Sequence, residues 1–316
     1  VNSIPKEVTI LDEDNLTFLP KSIKNPVEVE NERIAHIKDG VALTKFICWL
    51  KKNVGKIPIT ELSAGEKLYS FRAQQENFID NSFDPIISYG IHAAINHYSA
   101  TPETDIAIEP GNFLLADTGG HYYEGTTDTT RTIVMGSVND EQKKYFTAVL
   151  RGMLNLGNAK FRYGCTGVNL DYLARGPLWE MGQDFNHGTG HGVGYLLNVH
   201  EGPNSFRWRI IQGDNAVLEE GMITSDEPGY YVENQYGIRH ENLLVCKKAE
   251  KTSFGQFMCF EHLTMVPFDL DAVVPELMTV QERALLNNYH TQVYKKISPY
   301  LEEEEKEWLK EATREI

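Results

Sequence analysis

The sequence predicts an α+β fold made of two halves with the same outline, closed by a helical extension. Three observations predict it. Between about residues 26 and 265 the order is two helices and a carboxylate-bearing strand pair, then two helices and a second carboxylate-bearing strand pair, with no visible identity between the halves. Several changes of element carry a local signal, either a capping pattern or a stretch rich in Gly, Asn and Pro. After Pro267 the composition shifts to a charged helical pattern. With 316 residues, 41% of them hydrophobic and 24% charged, the chain is long enough to bury a sizeable core as one large domain or one domain plus appendages.

Residues 1–24 are mixed and poorly periodic and read as an extended lead-in or the tail of something preceding; the sequence also starts without Met. At Asn25-Pro26-Val27-Glu28 a helix is expected to start, because Asn25 can cap, Pro26 suits the first helical position and Glu28 can reach back. Ile34, Ile37, Val41, Cys48 and Trp49 fit its buried face, and Gly55 is its stop. A second helix is expected at about 62–79, followed by turns and short strands between Pro85 and Pro110. FLLADTGG and TTDTTRTIVMG are strand candidates joined by the HYYEG turn region. Asn139 with Gln142 opens a helix over about 140–161, and another is expected near 167–181. MITSDEP and GIRHENLLVC return to strand character. In the tail, Thr279 with Glu282 forms a capping box, Pro299 separates two helices, and the EEEE run reads as a solvated helical face.

A formal net charge of -15 and a pI near 5.1 argue against nucleic acid as a partner, since phosphate backbones are bound by clustered Lys and Arg. Cys48, Cys165, Cys246 and Cys259 are widely spaced and form no CxxC, which suggests neither a thiolate zinc site nor a disulfide framework, but reduced thiols in a cytoplasmic protein. No apolar run approaches the roughly 20 residues that cross a bilayer, and the start VNSIPKEVTILDED lacks a basic-then-apolar signal pattern.

Chemistry-bearing residues collect in four places. Asp117 and Asp128 lie on neighbouring strand candidates, so pairing would bring two carboxylates together, with glycines at 119, 120 and 125 permitting the tight backbone. Turn capping by Asp117, or hydrogen bonding of Asp128 among the threonines of TTDTT, is the alternative. His187 and His191 sit in NHGTGHGVG among four glycines, a composition foreign to a core helix, with His200 close behind. Glu227 in SDEPGYY and Glu241 in GIRHEN add two carboxylates at strand ends, costly to bury unless paired or metal-bound. For Glu241 a surface pair with Arg239 stays open. Four carboxylates and one neutral imidazole nearly balance two divalent cations, and a ligand set rich in oxygen, with one nitrogen and no thiolate, favours manganese, cobalt or zinc over copper.

With these residues assembled, the sequence resembles the M24 metallopeptidases of pita-bread (creatinase/aminopeptidase-like) fold, most closely their Xaa-Pro aminopeptidase branch. The resemblance runs from about residue 24 to the C-terminus and is carried by AAINHYSATPETD, LLADTGGHYYEGTTDTTRT, HGTGHGVGYLLNVHEGP and TSDEPGYYVENQYGIRHEN. It implies a lead-in or remnant of a preceding domain over 1–24, a catalytic domain over 25–267 and a helical extension over 268–316. By the same resemblance Asp117 binds one metal, Asp128 and Glu241 bridge, and His191 with Glu227 bind the second, the ions most naturally Mn2+ with Zn2+ or Co2+ as alternatives. His97, His187 and His200 are implied to hold the substrate and its tetrahedral intermediate, Tyr231 and Arg239 to stand behind the ligands, and Glu227 to shuttle a proton to the leaving nitrogen. The expected activity is release of the N-terminal residue from peptides with proline second. His97, Tyr98, Tyr231 and Tyr236 are guesses for the proline surroundings, with core packing open for the tyrosines. The resemblance also implies a homodimer, and relatives that carry additional N-terminal domains. A prolidase acting on Xaa-Pro dipeptides would share every ligand; a metal-free pita-bread binding protein should have lost ligands that this sequence keeps.

Overall fold

The computed structural model describes residues 5, 7–9 and 15–316, so the expected lead-in over 1–24 lies partly outside the described residues. Its described end is a short helix, α1 (Phe18–Ser22), after which the backbone N–H of Lys24 donates to Gly221 O at 3.0 Å. Helix α2 (Pro26–Asn53) starts on the expected box: Asn25 accepts from the N–H groups of Val27 and Glu28, while Glu28 accepts from Asn25 N at 2.8 Å. Such a cap stabilises by about 1 kcal/mol. Gly55, at φ +72°, turns the chain beyond the C-cap. The buried face runs along Ala35, Asp39, Leu43, Phe46 and Leu50. Ile34, expected inside, falls off this stripe and is 39% exposed.

Helix α3 (Glu61–Arg72) ends earlier than the sequence suggests. The Arg72 guanidinium is buried on Asp39 and on Thr118 Oγ1 (2.9 Å), and Asn77 at φ +64° redirects the chain into β1 (Phe78–Asn81). Strands β2 (Ile86–Tyr89), β3 (Asn112–Thr118) and β6 (Thr129–Met135) form one antiparallel sheet in the order β2-β3-β6. The stretch between β3 and β6 is more than a turn: β4 (Gly120–Tyr122) and β5 (Gly125–Thr126) pair with each other and β4 with β1.

The second half repeats the plan. After α4 (Asp140–Gly157), capped reciprocally by Asn139 and Gln142, come β7 (Lys160–Arg162), α5 (Tyr172–Trp179), β8 (Gly190–His191) and β9 (Ser205–Phe206). Then follow β10 (Ile223–Asp226), the hairpin β11 (Gly229–Val232) with β12 (Tyr236–Arg239), and the long pair β13 (Asn242–Thr252) and β14 (Gly255–His262). The main sheet of this half has the order β10-β13-β14-β7.

Helices α6 (Val280–Ile297) and α7 (Glu303–Ala312) complete the fold, α6 on the Thr279/Glu282 capping box. They are no loose appendage: Leu286, Tyr289, Val293, Ile297 and Leu309 are buried in the same core cluster as Val41, Phe113, Phe146 and Ile238. Glu302 to Glu304 face solvent, as a charged helical face should. Among the described residues no helix is long and apolar enough to cross a membrane.

Candidate metal centre

Strand pairing creates the site. In the β3–β6 ladder Asp117 faces Thr130 and Thr118 faces Thr129, so Asp128, one step before β6, returns to the end of β3 that carries Asp117. In the second half Asp226 pairs with Asn242 across β10 and β13, which places Glu227 and Glu241, each one step outside the ladder, at the same edge. The halves are stitched there: Glu241 N donates to Thr130 O at 3.1 Å, and Thr130 Oγ1 donates to Glu241 Oε2 at 2.7 Å. His191 arrives on β8, its N–H held by Ser225 Oγ at 2.9 Å.

All five predicted ligands line one cavity of about 500 Å3. Ligand atoms of Asp128, His191 and Glu241 lie within 4.8 Å of one another, and His191 Nε2 is 3.5 Å from Asp128 Oδ2 and 3.4 Å from Glu227 Oε1. His191 Nδ1 lies 2.9 Å from Gly192 O, an acceptor, so in the neutral ring Nδ1 carries the proton and the Nε2 lone pair faces the carboxylates. Asp117 Oδ2 accepts from Arg239 Nη2 at 2.5 Å, and its Oδ1 is buried without a donor among the described residues.

The electrostatics are those of a cation site. Burial raises Asp128, raises Glu241 well above the ordinary carboxylate range and raises Glu227 to about 7; mutual repulsion adds to this, and His191 with Arg239 opposes it at Asp128 and Glu227. At His191 burial disfavours the charged ring, but the Asp128 contact and the Glu227 charge outweigh it and raise the ring to about 9. Surroundings that draw a proton to Nε2 draw a divalent cation by the same force. A buried oxygen without a donor, converging carboxylates and a correctly tautomerised imidazole are donors that fit such ions.

The glycines of the histidine loop serve close approach rather than unusual dihedrals, since none of Gly188, Gly190, Gly192 and Gly194 has a positive φ. A Cβ on Gly190 would sit 1.8 Å from Ser225 O, and one on Gly192 would sit 2.1 Å from Glu201 O. Only glycine lets β8 run this close to its neighbours.

His97, His187, His200 and Arg239 line the same cavity. His187 is the inner one: Nδ1 donates to Gly188 O (2.7 Å), and Nε2 meets Tyr231 Oη at 2.9 Å, which in turn accepts from Arg239 Nη1 at 2.8 Å. Burial pulls His187 down to about 3, and the Arg239 charge adds to this. Burial likewise lowers His200 to about 4, helped by His191, whose ring it meets edge-on at 4.2 Å. Both rings are therefore neutral at physiological pH. Tyr98 and Tyr236, the sequence's guesses for the proline surroundings, are core residues: Tyr98 Oη reaches Glu61 and Thr104, and Tyr236 packs on Phe113. Phe83 and Ile86 are the large apolar side chains that line the cavity, and Arg207, paired with Asp214, lines it as well. No local sequence signal marks these residues, because their neighbours in the cavity are distant in the chain.

An α+β fold in two matched halves, with a carboxylate-rich cavity where their strand edges meet, defines the class as a pita-bread protein with the makings of a metal centre. The chain belongs to metallopeptidase family M24, whose model matches residues 30–248, and the model of that family's C-terminal region matches residues 256–316. It is 43% identical over 303 residues to a probable Xaa-Pro aminopeptidase P of Paracoccidioides brasiliensis (strain Pb03), covering 94% of this chain and 49% of the relative. It is 39% identical over 322 residues to aminopeptidase P1 of Arabidopsis thaliana, covering 94% and 50%. The chain thus spans about half the length of the curated relatives it matches. Among solved structures, X-prolyl aminopeptidase of Caenorhabditis elegans, described as a cytosolic enzyme with a di-nuclear active site, superposes with a TM-score of 0.90 at 37% identity over 96% of this chain and 50% of that one. Prolidase from Pyrococcus furiosus gives 0.62 at 28% identity over 79% and 67%.

Proposed function

We propose that this chain is the catalytic region of an aminopeptidase that holds two divalent ions and releases the N-terminal residue from peptides with proline in the second position. The observation that carries the reading is the convergence of Asp117, Asp128, His191, Glu227 and Glu241 on one cavity with His97, His187 and His200. The relatives named Xaa-Pro aminopeptidase, matched over 94% of this chain, support the substrate class.

Asp117 would hold one ion, His191 and Glu227 the other, and Asp128 with Glu241 both. Two ions bound there would supply Lewis acidity for the scissile carbonyl and ease deprotonation of a water. The rest falls to the chain's own side chains. His97 and His200, on the cavity wall, donate to the carbonyl oxygen of the first residue as negative charge grows on it. His187, Tyr231 and Arg239 form a hydrogen-bonded row ending on Asp117 Oδ2 and keep that carboxylate aimed. Glu227 Oε1, which accepts from Ser225 Oγ at 3.0 Å, carries the proton to the leaving imino nitrogen. Phe83 and Ile86 form the apolar wall against which a proline ring packs. Manganese is the expected ion, with zinc and cobalt as the competitors. A cytosolic homodimer is the expected setting, the first part supported by the cytosolic C. elegans enzyme.

The test compares initial rates on an Xaa-Pro-Xaa tripeptide, an Xaa-Pro dipeptide and a Met-Ala-Xaa peptide with manganese, zinc or cobalt added. The reading expects the tripeptide to be cleaved fastest. Preference for the dipeptide would move the assignment to prolidase, and hydrolysis of none with any metal would remove the activity from this chain.

A further inference from the structure

Arg131 is fully buried, yet among the described residues no carboxylate touches it. Its guanidinium donates to the carbonyl oxygens of Thr130 (2.9 Å), Glu241 (2.6 Å), Val266 (2.8 Å) and Pro267 (3.2 Å), to Asn242 Oδ1 (2.8 Å) and to Tyr289 Oη (3.0 Å). It also stacks over the Phe268 ring at 4.0 Å. A buried charge without a contacting counter-ion is costly, so the site has to be read for what the group links. Through Nη1 it joins the carbonyl of Thr130, two residues after Asp128, to the carbonyl of Glu241. Through Nη2 it joins that corner to α6, because Tyr289 also lies 2.9 Å from the carbonyls of Thr264 and Val266.

We propose that Arg131 and Tyr289 are positioning residues for the metal centre, through which the C-terminal helical extension sets the placement of Asp128 and Glu241. The inference rests on the dinuclear reading above and deepens it. Thr130 and Glu241 lie on the seam between the halves, joined by Glu241 N to Thr130 O and by the Thr130 hydroxyl to the Glu241 carboxylate, and the next step of the seam is Thr132 Oγ1 with Arg239 O (2.9 Å) and Arg239 N (3.0 Å). Arg131 holds both carbonyls of the seam without itself lining the cavity. Glu241 and Asp128 are the two ligands proposed to serve both ions, so a loosened seam alters both ion sites together rather than one of them. The planar five-donor fork suits a group that must hold carbonyls from three segments at fixed angles, whereas a lysine offers three donors from one point.

The test uses the full chain and three variants: Tyr289→Phe, Arg131→Lys and, as a control on the same extension, the exposed Tyr300→Phe. Manganese affinity is measured by competition with a chelator, the visible spectrum of the cobalt-loaded protein is recorded, and the thermal midpoint of the metal-free protein is taken. Tyr289→Phe and Arg131→Lys are expected to bind manganese about 10-fold more weakly with an altered cobalt spectrum, and Tyr300→Phe to match wild type. Wild-type affinity and an unchanged spectrum in Tyr289→Phe would overturn the inference, even if its metal-free midpoint drops, since that is the signature of a purely structural role. Tyr289→Phe removes only a hydroxyl and decides the matter if Arg131→Lys does not fold. Failure of the wild-type chain to bind metal would instead overturn the underlying reading, so the two failures are told apart.

Discussion

Replacing Gly190 by alanine should weaken metal binding at the centre while leaving the fold in place. The new Cβ would lie 1.8 Å from Ser225 O and 3.1 Å from Phe206 Cδ2, against a floor of 3.0 Å that real Cβ contacts respect, so the backbone must yield by at least 1.2 Å. Neither neighbour can retreat. Ser225 belongs to β10, locked onto β13, and Phe206 is fully buried. Strand β8 must move instead, and His191 moves with it. A metal-binding constellation tolerates displacements of about 0.5 Å, so the shift should weaken manganese binding by roughly 10- to 100-fold, the range seen when support of a ligand is lost. The overpacking itself should cost about 1–3 kcal/mol of stability. Gly65→Ala is the matched control: its Cβ meets nothing closer than Ile87 at 3.7 Å within α3, and it should stabilise by about 0.4–1 kcal/mol. The assay is calorimetric titration of the metal-free proteins with manganese, beside thermal melts. A Gly190→Ala protein with wild-type metal affinity would refute the claim that close packing of β8 on β10 places His191.

Tyr231→Phe removes the hydroxyl between His187 and Arg239 and leaves buried partners unsatisfied, which should lower kcat/KM on an Xaa-Pro-Xaa peptide by about 10- to 100-fold, equal to about 1.4–2.7 kcal/mol; steady-state kinetics check it. Asp128→Ala and His191→Ala should abolish release of the first residue, read by the same peptide assay against retained secondary structure. Chelation should lower the thermal midpoint and added manganese restore it, since ions that bind only the folded chain stabilise it by about 4 kcal/mol at a thousand times Kd; melts with graded manganese test this. Burial lowers His36 and His262 to about 4 and His290 to about 3, below the roughly 6.5 of an unfolded chain. Between these values the unfolded chain binds more protons, so their contribution is complete above about pH 6.5 and is lost as pH falls toward 4. Glu32 and Asp226, raised by burial, act in the opposite sense, so the measurement is a difference. His290→Gln should show a shallower loss of unfolding free energy from pH 6.5 to 4.5 than wild type.

What the sequence revealed was local or motif-borne. The capping boxes at Asn25, Asn139 and Thr279 are closed by side chains three residues apart, so the helices they start could be read directly. Two carboxylates on each of two strand pairs stood out because strand ends in turn-rich sequence seldom bury acids without cause. The end of α3 was hidden because Arg72 is held by Asp39 and Thr118, and β1 is claimed by β4 some forty residues later. The apolar lining was missed for a similar reason: nothing in the sequence sets Phe83 and Ile86 apart, while Tyr98 and Tyr236 had the right chemistry in the wrong place. The histidine-loop glycines were legible as a site but not in their purpose, which is set by the carbonyls of Ser225 and Glu201 on other segments. The buried Arg131 gave no sign at all, for every acceptor but Thr130 is more than a hundred residues away.

The most direct measurement is anomalous diffraction from crystals of this chain grown with manganese, recorded for wild type and Asp128→Ala. The account predicts two manganese peaks in wild type within the cavity lined by Asp117, Asp128, His191, Glu227 and Glu241, and loss or marked weakening of both when the shared carboxylate is removed. A cavity without manganese, or peaks held by other side chains and unchanged in Asp128→Ala, would contradict it.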